Sequence, residues 1–381
     1  LRMDQSKTFE EFREACNYSH IPGENMIWAD KDNNIGWQAV GIAPIRNTHS
    51  GMVPVPGDGS HEWDGYLEIR KRPNLYNPAE GYFATANQDV TDPSFEHMNT
   101  HYYLWSDPYR GGRIKEFFDA RTKLTFEEMI ALQTDYKSTS ANYLLPQLFE
   151  FSFIDPEINR LAIDLKSWDR VLSRDSRLAA IYAMWEANLR RKVSEVMIPE
   201  VAQEYMSQIQ LKRVIDIVND PVRWKFPGGA AAMQELLKSS FEEAIEYLHD
   251  RLGDDVAVWT YGDDDFKHIL MRHPLSTALD ESMKPTFEVG PLPRGGNAYT
   301  VGSTGGAWNQ PSGASFKVII NTGNWDSSVA MNAPGQAGDP REPHYQDLFE
   351  MWGNDKYFPL FYTREKVEAA TTERIRLRPE N

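Results

Sequence analysis

A single cysteine, Cys16, stands in 381 residues, so no internal disulfide and no cysteine-rich metal site can form. Compartment stays open on this count, because one thiol suits an exported bacterial enzyme as well as a cytosolic one. Positive charge is scarce too. Forty Lys and Arg against 56 Asp and Glu leave a net charge of −16, which argues against nucleic acid or an anionic membrane surface as partner. No apolar run approaches the length of a membrane-spanning helix. Nor is there a P-loop or dinucleotide fingerprint: Gly302-Ser303-Thr304-Gly305-Gly306 follows a strand pattern without the helix such a motif requires. Internal repeats and low-complexity tracts are absent. The chain begins Leu1-Arg2-Met3, without initiator Met, signal or transit sequence, and is expected to be a processed subunit or a piece of one.

What is present is ordinary in charge and rich in rings. Charged residues make up 25% and hydrophobic ones 41%, while aromatics reach 12% with 11 Trp, which fits apolar pockets or a heavily packed core. The length allows a large core and two or three domains.

Residues 1–90 read as β-rich, 91–285 as mainly helical, and 286–381 as returning strands with a C-terminal helix. Thr8-Phe9-Glu10-Glu11 has the form of a capping box opening a helix to about Cys16. Asn25–Asp30 and Ile35–Gly41 flank an Asp/Asn cluster and predict a hairpin, with Asn33 suited to a left-handed turn position. A second capping box starts at Thr125. Apolar residues at three- and four-residue spacing predict helices over Ser176 to about Val196, Val201–Ile217 and Ala231–Leu252, the last two split by Asn219-Asp220-Pro221. Strands are expected at Ala298–Gly302, Phe316–Asn321 and Ser327–Asn332, and a helix at His344–Trp352.

The most informative stretch runs from Gly81 to Arg113. Gly81–Asn87 reads as a short apolar strand ending in an Asn, which puts a neutral amide with two N–H donors at a core edge. Such a group can stabilise developing negative charge, or simply cap a turn. About twenty residues on, Arg110 precedes the pair Gly111-Gly112 at the start of a helix pattern; it could orient a site or pair with a nearby carboxylate.

The run Tyr76-Asn77-Pro78-Ala79-Glu80-Gly81-Tyr82 through Asn87, followed by Tyr109-Arg110-Gly111-Gly112-Arg113-Ile114, resembles the penicillin acylase family of N-terminal-nucleophile amidohydrolases. Its cephalosporin and N-acyl-homoserine-lactone acylase branch is nearest in flavour. Further motifs agree in order from roughly Phe9 to Pro379: the hairpin, the Val53-Pro54-Val55-Pro56-Gly57 loop, Trp63 to Tyr66, the His268 to Pro274 segment, the Gly335–Gly338 loop, and Tyr357-Phe358-Pro359-Leu360. Ala337 departs from the usual Ser, which weakens any hydroxyl role there.

The resemblance implies an α+β fold, part of an Ntn-hydrolase αββα sandwich with an inserted helical lobe. It implies amide hydrolysis of N-acyl compounds (β-lactams, N-acyl-homoserine lactones or similar) through an acyl-enzyme on an N-terminal Ser. Asn87 would then form part of the oxyanion hole and Arg110 would orient the catalytic centre, while Glu24 and Asn25 would border the acyl pocket; for Glu24 a solvated turn carboxylate is the competing reading. The Ser is expected upstream of Leu1, so the fragment alone should not catalyse. The implied partners are the missing N-terminal part of a β subunit, an α subunit from the same precursor, and a small N-acyl substrate. Location would be periplasmic or secreted, and no cofactor is required. The competing class is a non-catalytic relative or binding module using an aromatic-lined cleft. A sheet lacking its central strands would expose apolar edges, which predicts poor solubility in isolation.

Other candidates are weaker. His97 and His101 are spaced for zinc on one helix, but lack the Glu of His-Glu-x-x-His and are crowded by aromatics, so no metal is assigned. His268 and His273 are poorly spaced for one helical face. Some family members hold structural calcium partly through an acidic side chain near position 99. Neutral Asn99 leaves calcium possible but unsupported. Asn17-Tyr18-Ser19 is a glycosylation sequon at chance expectation.

Overall fold

Residue order already dictates how the first helix is placed. In the computed structural model, which describes residues 1–101, 104–306, 308–311 and 313–379, α1 (Phe9–Cys16) is capped by Thr8, whose hydroxyl accepts from the Glu11 amide at 3.2 Å. The Glu11 carboxylate does not return to Thr8, as the expected capping box requires, but bonds the Lys7 amide at 2.7 Å. The helix buries Phe9, Phe12, Ala15 and Cys16. Gly36 lacks a Cβ where the Phe9 ring lies, so the helix can close onto the sheet. Burial pushes the Cys16 thiol up to about 11, against the pull of Arg13, and leaves it unreactive.

The chain forms two compact units, Leu1–Gly111 and Gly112–Asn381. In the first, β1 (Asn25–Ala29) and β2 (Ile35–Ala39) make the expected antiparallel hairpin, with Ile27 opposite Trp37. Asp30 organises the turn by accepting from the Asp32 and Asn34 amides at 2.9 and 3.0 Å, and Asn33 takes the left-handed φ of 64°. After β3 (Ala43–Pro44) and β4 (Tyr66–Leu67), which pair with each other, β5 (Asn74–Tyr76) joins β2 to give the order β1-β2-β5. Phe9, Phe12, Cys16, Val40 and Ile69 form the core beneath.

Gly81–Asn87 differs from expectation. It joins no ladder with the described strands. Side chains hold it instead: Phe83 stacks on Trp37 at 4.4 Å, and the Ala86 amide bonds the Gln88 side-chain oxygen at 2.7 Å. Asn87 then turns the chain with φ 63°.

Helix α2 (Tyr109–Asp119) carries the chain into the second unit. There follow α3 (Phe126–Gln133) with the full Thr125–Glu128 capping box, α4 (Ala141–Leu148), α5 (Pro156–Asp164), α6 (Arg177–Met197), α7 (Leu211–Asn219) and α8 (Gly229–Leu252). Helices α6 and α8 pack on each other through Trp185 and Phe241, ring centres 6.0 Å apart. The helix expected over Val201–Ile217 starts only at Leu211, because Val201 and Tyr205 find no packing and stay 83% and 84% exposed.

Strands then return as β6 (His268–Met271), which pairs after α9 (Lys284–Phe287) with β7 (Val289–Pro293). Next come β8 (Lys317–Ile319), β9 (Val329–Met331), α10 (Phe349–Gly353), β10 (Phe358–Pro359) and α11 (Arg364–Ala370), with sheet order β10-β9-β8. Ala298–Gly302 is a turn, not the expected strand. Asn297 Oδ1 accepts from the Tyr299 amide and Thr300 Oγ1 from the Asn297 amide, and these local bonds displace a ladder. His344–Trp352 splits into a 3-10 turn and α10, since Gln346 leaves helical geometry at φ −139°. The fold is α+β, and among the described residues no helix is long and apolar enough to cross a membrane.

Candidate active site

Asn87 is exposed at the end of the Phe83-containing segment, in a left-handed conformation that Asn tolerates better than most residues. Arg110 lies in the first turn of α2 and donates from Nη2 to Asn87 Oδ1 at 2.8 Å. A guanidinium has donors and no acceptor, so the atom it meets must be the carboxamide oxygen. The amide is therefore oriented, with its two N–H donors on the side away from Arg110. Gly111 permits this closeness: a Cβ there would stand 2.6 Å from the Gln88 side-chain amide. Burial lowers the affinity of Arg110 for its proton from a very high starting value, and the group remains a cation at neutral pH.

Asn87 lines a cavity of about 350 Å³ in the first unit. Glu24 and Asn25 line it as well, so the structure brings three of the four expected site residues onto one cavity, and the fourth holds the Asn87 side chain. Asn25 Oδ1 accepts from the Trp37 indole at 2.7 Å, which ties the start of β1 to an aromatic wall. The Glu24 carboxylate has no partner among the described residues, while its carbonyl accepts from the Val40 amide at 2.9 Å. The apolar walls are Trp37, Phe95, Leu104 and Trp105.

Two wall residues were not foreseen. Arg72 bonds the Val40 and Gly41 carbonyls and so buttresses the cavity from β2's end. His101 bonds Asp89 at 3.0 Å and lies against Trp105, ring centres 5.3 Å apart. Burial opposes ionisation of Asp89, but the Thr91 amide and His101 outweigh it and hold the carboxyl below its ordinary range. Neither residue carries a local signal. Arg72 meets carbonyls more than thirty positions away, and His101 drew notice only for its spacing from His97.

The metal candidates do not assemble. His97 sits beside Glu96 and His101 on Asp89, around a 3-10 turn rather than an α-helical face. Asn99 donates to Asn47 Oδ1 at 2.7 Å, and Asn47 donates to Asp64 at 2.7 Å. Among the described residues this stretch offers a single carboxylate in a row of mutually bonded amides, where calcium takes six to eight oxygen ligands. His268 lies in β6, and His273 accepts from the Leu275 amide. Among the described residues no three His, Cys, Asp or Glu side chains gather as a metal site.

The sequence matches the family model described as penicillin amidase over residues 1–369. It is 26% identical to an acyl-homoserine lactone acylase, QuiP, of Pseudomonas aeruginosa, over 94% of this chain and 47% of that protein. With a penicillin acylase 2 proenzyme from a Pseudomonas species it shares 25% identity, over 98% of this chain and 49% of that protein. The chain thus spans just under half the length of these relatives. In three dimensions it is similar to a thermostable penicillin G acylase from Alcaligenes faecalis, with a TM-score of 0.69 and 18% identity, covering 100% of this chain and 72% of that one.

Proposed function

The chain belongs to the penicillin amidase family, and from that premise we propose that it forms part of an amidohydrolase acting on N-acyl compounds. The observation that carries this reading is the Arg110–Asn87 hydrogen bond, which orients a neutral donor on the wall of a half-apolar cavity. In the proposed reaction a Ser hydroxyl, contributed by the part of the relatives that lies beyond the matched half, attacks the amide carbonyl. The α-amino group of that Ser serves as its base, since such amines titrate near neutrality. Asn87 donates to the oxyanion and Arg110 keeps the carboxamide from turning over. The C–N bond then breaks as the α-amino group returns the Ser proton to the departing amine, and water hydrolyses the acyl-enzyme to the free acid and Ser. Glu24, Asn25 and the aromatic walls contact the substrate. Acyl-homoserine lactones and β-lactams are the substrate classes to assay first.

The partners in this reading are the rest of a β subunit and an α subunit cut from one precursor, and one relative's name, a proenzyme, supports it. Family resemblance supports a periplasmic or secreted location. Intact mass and N-terminal sequencing of the natural protein test the processing. A free N-terminal Ser with a smaller partner chain is the expected result, and one uncleaved chain would remove the mechanism. For the chemistry, Asn87→Ala in the full-length protein should lower kcat about 10²–10³-fold, the usual loss for one oxyanion donor. Turnover within twofold of wild type would sink the assignment.

A further inference from the structure

The segment that presents Asn87 is closed on itself by two rungs. The Asn87 carbonyl accepts from the Ser106 amide at 2.9 Å. Two residues on, the Asp89 carboxylate meets His101 Nε2 at 3.0 Å. The second rung is the better shielded on one side: the His101 side chain is 8% exposed, and its ring lies against Trp105. The other Asp89 oxygen accepts from the Thr91 amide at 3.0 Å, so both carboxylate oxygens are engaged. With Asp89 held ionised, the His101 ring is the donor in this contact.

These rungs act on different atoms from the Arg110 contact. Arg110 fixes which way the Asn87 carboxamide faces, whereas the rungs fix where its backbone stands. A left-handed φ at a residue other than Gly persists when its surroundings over-determine it. Asn87, His101, Trp105 and Ser106 all line the same cavity, so breaking either rung would move the Asn87 amide relative to that cavity's wall.

We propose that His101, through its bond to Asp89, is a positioning residue that holds the Asn87 carboxamide at the cavity wall. The proposal rests on reading Asn87 as an oxyanion donor. A displacement of about 1 Å at such a group can cost about a hundredfold in rate, so the rung matters without touching substrate.

The test uses the full-length protein and two readouts: kcat and KM on an N-acyl-homoserine lactone, and hydrogen exchange at the Ser106 amide. His101→Ala should lower kcat roughly 10- to 100-fold with KM changed less than about threefold, and should speed Ser106 exchange about tenfold or more. His101→Gln, which keeps a side-chain N–H near Nε2, should return both readouts to within about threefold of wild type. Should His101→Ala not fold, Asp89→Asn, which keeps the shape and weakens the acceptor, should lower kcat about three- to tenfold. The proposal fails if the Ala variant keeps kcat within twofold, or if the Gln variant is as impaired as Ala. A wild-type protein that turns over no N-acyl substrate would instead defeat the functional reading, and the exchange readout would still decide the positioning role.

Discussion

Residues 81–111 and the helix pair α6–α8 are held by opposite means. The first is a half-exposed segment in which single polar contacts set the geometry around Asn87: Arg110 on Asn87, Ser106 on Asn87, His101 on Asp89. The second is set by volume. Trp185, Ile181, Leu189, Val193 and Phe241 are all fully buried, and the polar groups among them are consumed internally, with the Trp185 indole on Ser240 Oγ at 3.0 Å and Asn188 on the Ser240 carbonyl at 2.8 Å. A few directional bonds can hold one atom in place while contributing little to global stability. Dense apolar packing stabilises the unit and fixes no particular exposed atom.

If that contrast holds, substitutions in the two regions should separate stability from activity. Trp185→Ala should destabilise by about 3–5 kcal/mol, the largest effect on melting, through lost burial and an uncollapsed cavity. Denaturant titration reads it. Asn87→Ala should do the reverse, taking about 2.7–4 kcal/mol from transition-state stabilisation while costing only about 1–2 kcal/mol of stability, the strain of Ala at a left-handed φ. Equal losses of stability from both would break the comparison.

A third substitution probes a buried charge in the second unit. Lys267 is fully buried with Nζ on the Thr304 carbonyl at 2.6 Å, and burial, then Arg294, pull its pKa down to about 7. Between about pH 7 and the unfolded value near 10.4 the unfolded chain binds more protons, so stability rises with pH across that window. Below about pH 7 both states are charged and the folded one carries the full burial penalty. Lys267→Met should therefore help more at pH 6 than at pH 9, by roughly 2–3 kcal/mol. A melting difference independent of pH would contradict this. The smallest effect belongs to Thr125→Ala, which removes the α3 cap and should cost about 1 kcal/mol, measured by thermal melting.

Legibility followed the same divide. Caps, the hairpin with its left-handed Asn33, and the long amphipathic helices were readable because their causes are local and periodic. Ala298–Gly302 misled because β-prone residues were overruled by Asn297 and Thr300 side chains that lie in the same short stretch. Val201–Ile217 misled because an apolar period does not make a helix without a surface to pack on. At the cavity, Asn87, Arg110, Glu24 and Asn25 came from motif resemblance, and spacing alone left their roles open. Arg72 and the Asp89–His101 pair could not be read, because only the folded path brings them to Val40 and Trp105.

The Arg110–Asn87 contact also bears on how the protein would age. Deamidation turns an Asn into Asp, replacing the donor nitrogen by a second acceptor oxygen. At position 87 the product would face a guanidinium already in place, and a charge-assisted bond is roughly twice as strong as a neutral one. The damaged side chain would be gripped more firmly than the intact one. On the proposed role of Asn87, stored protein would then lose turnover one dalton at a time without losing stability, and mass spectrometry rather than calorimetry would reveal it.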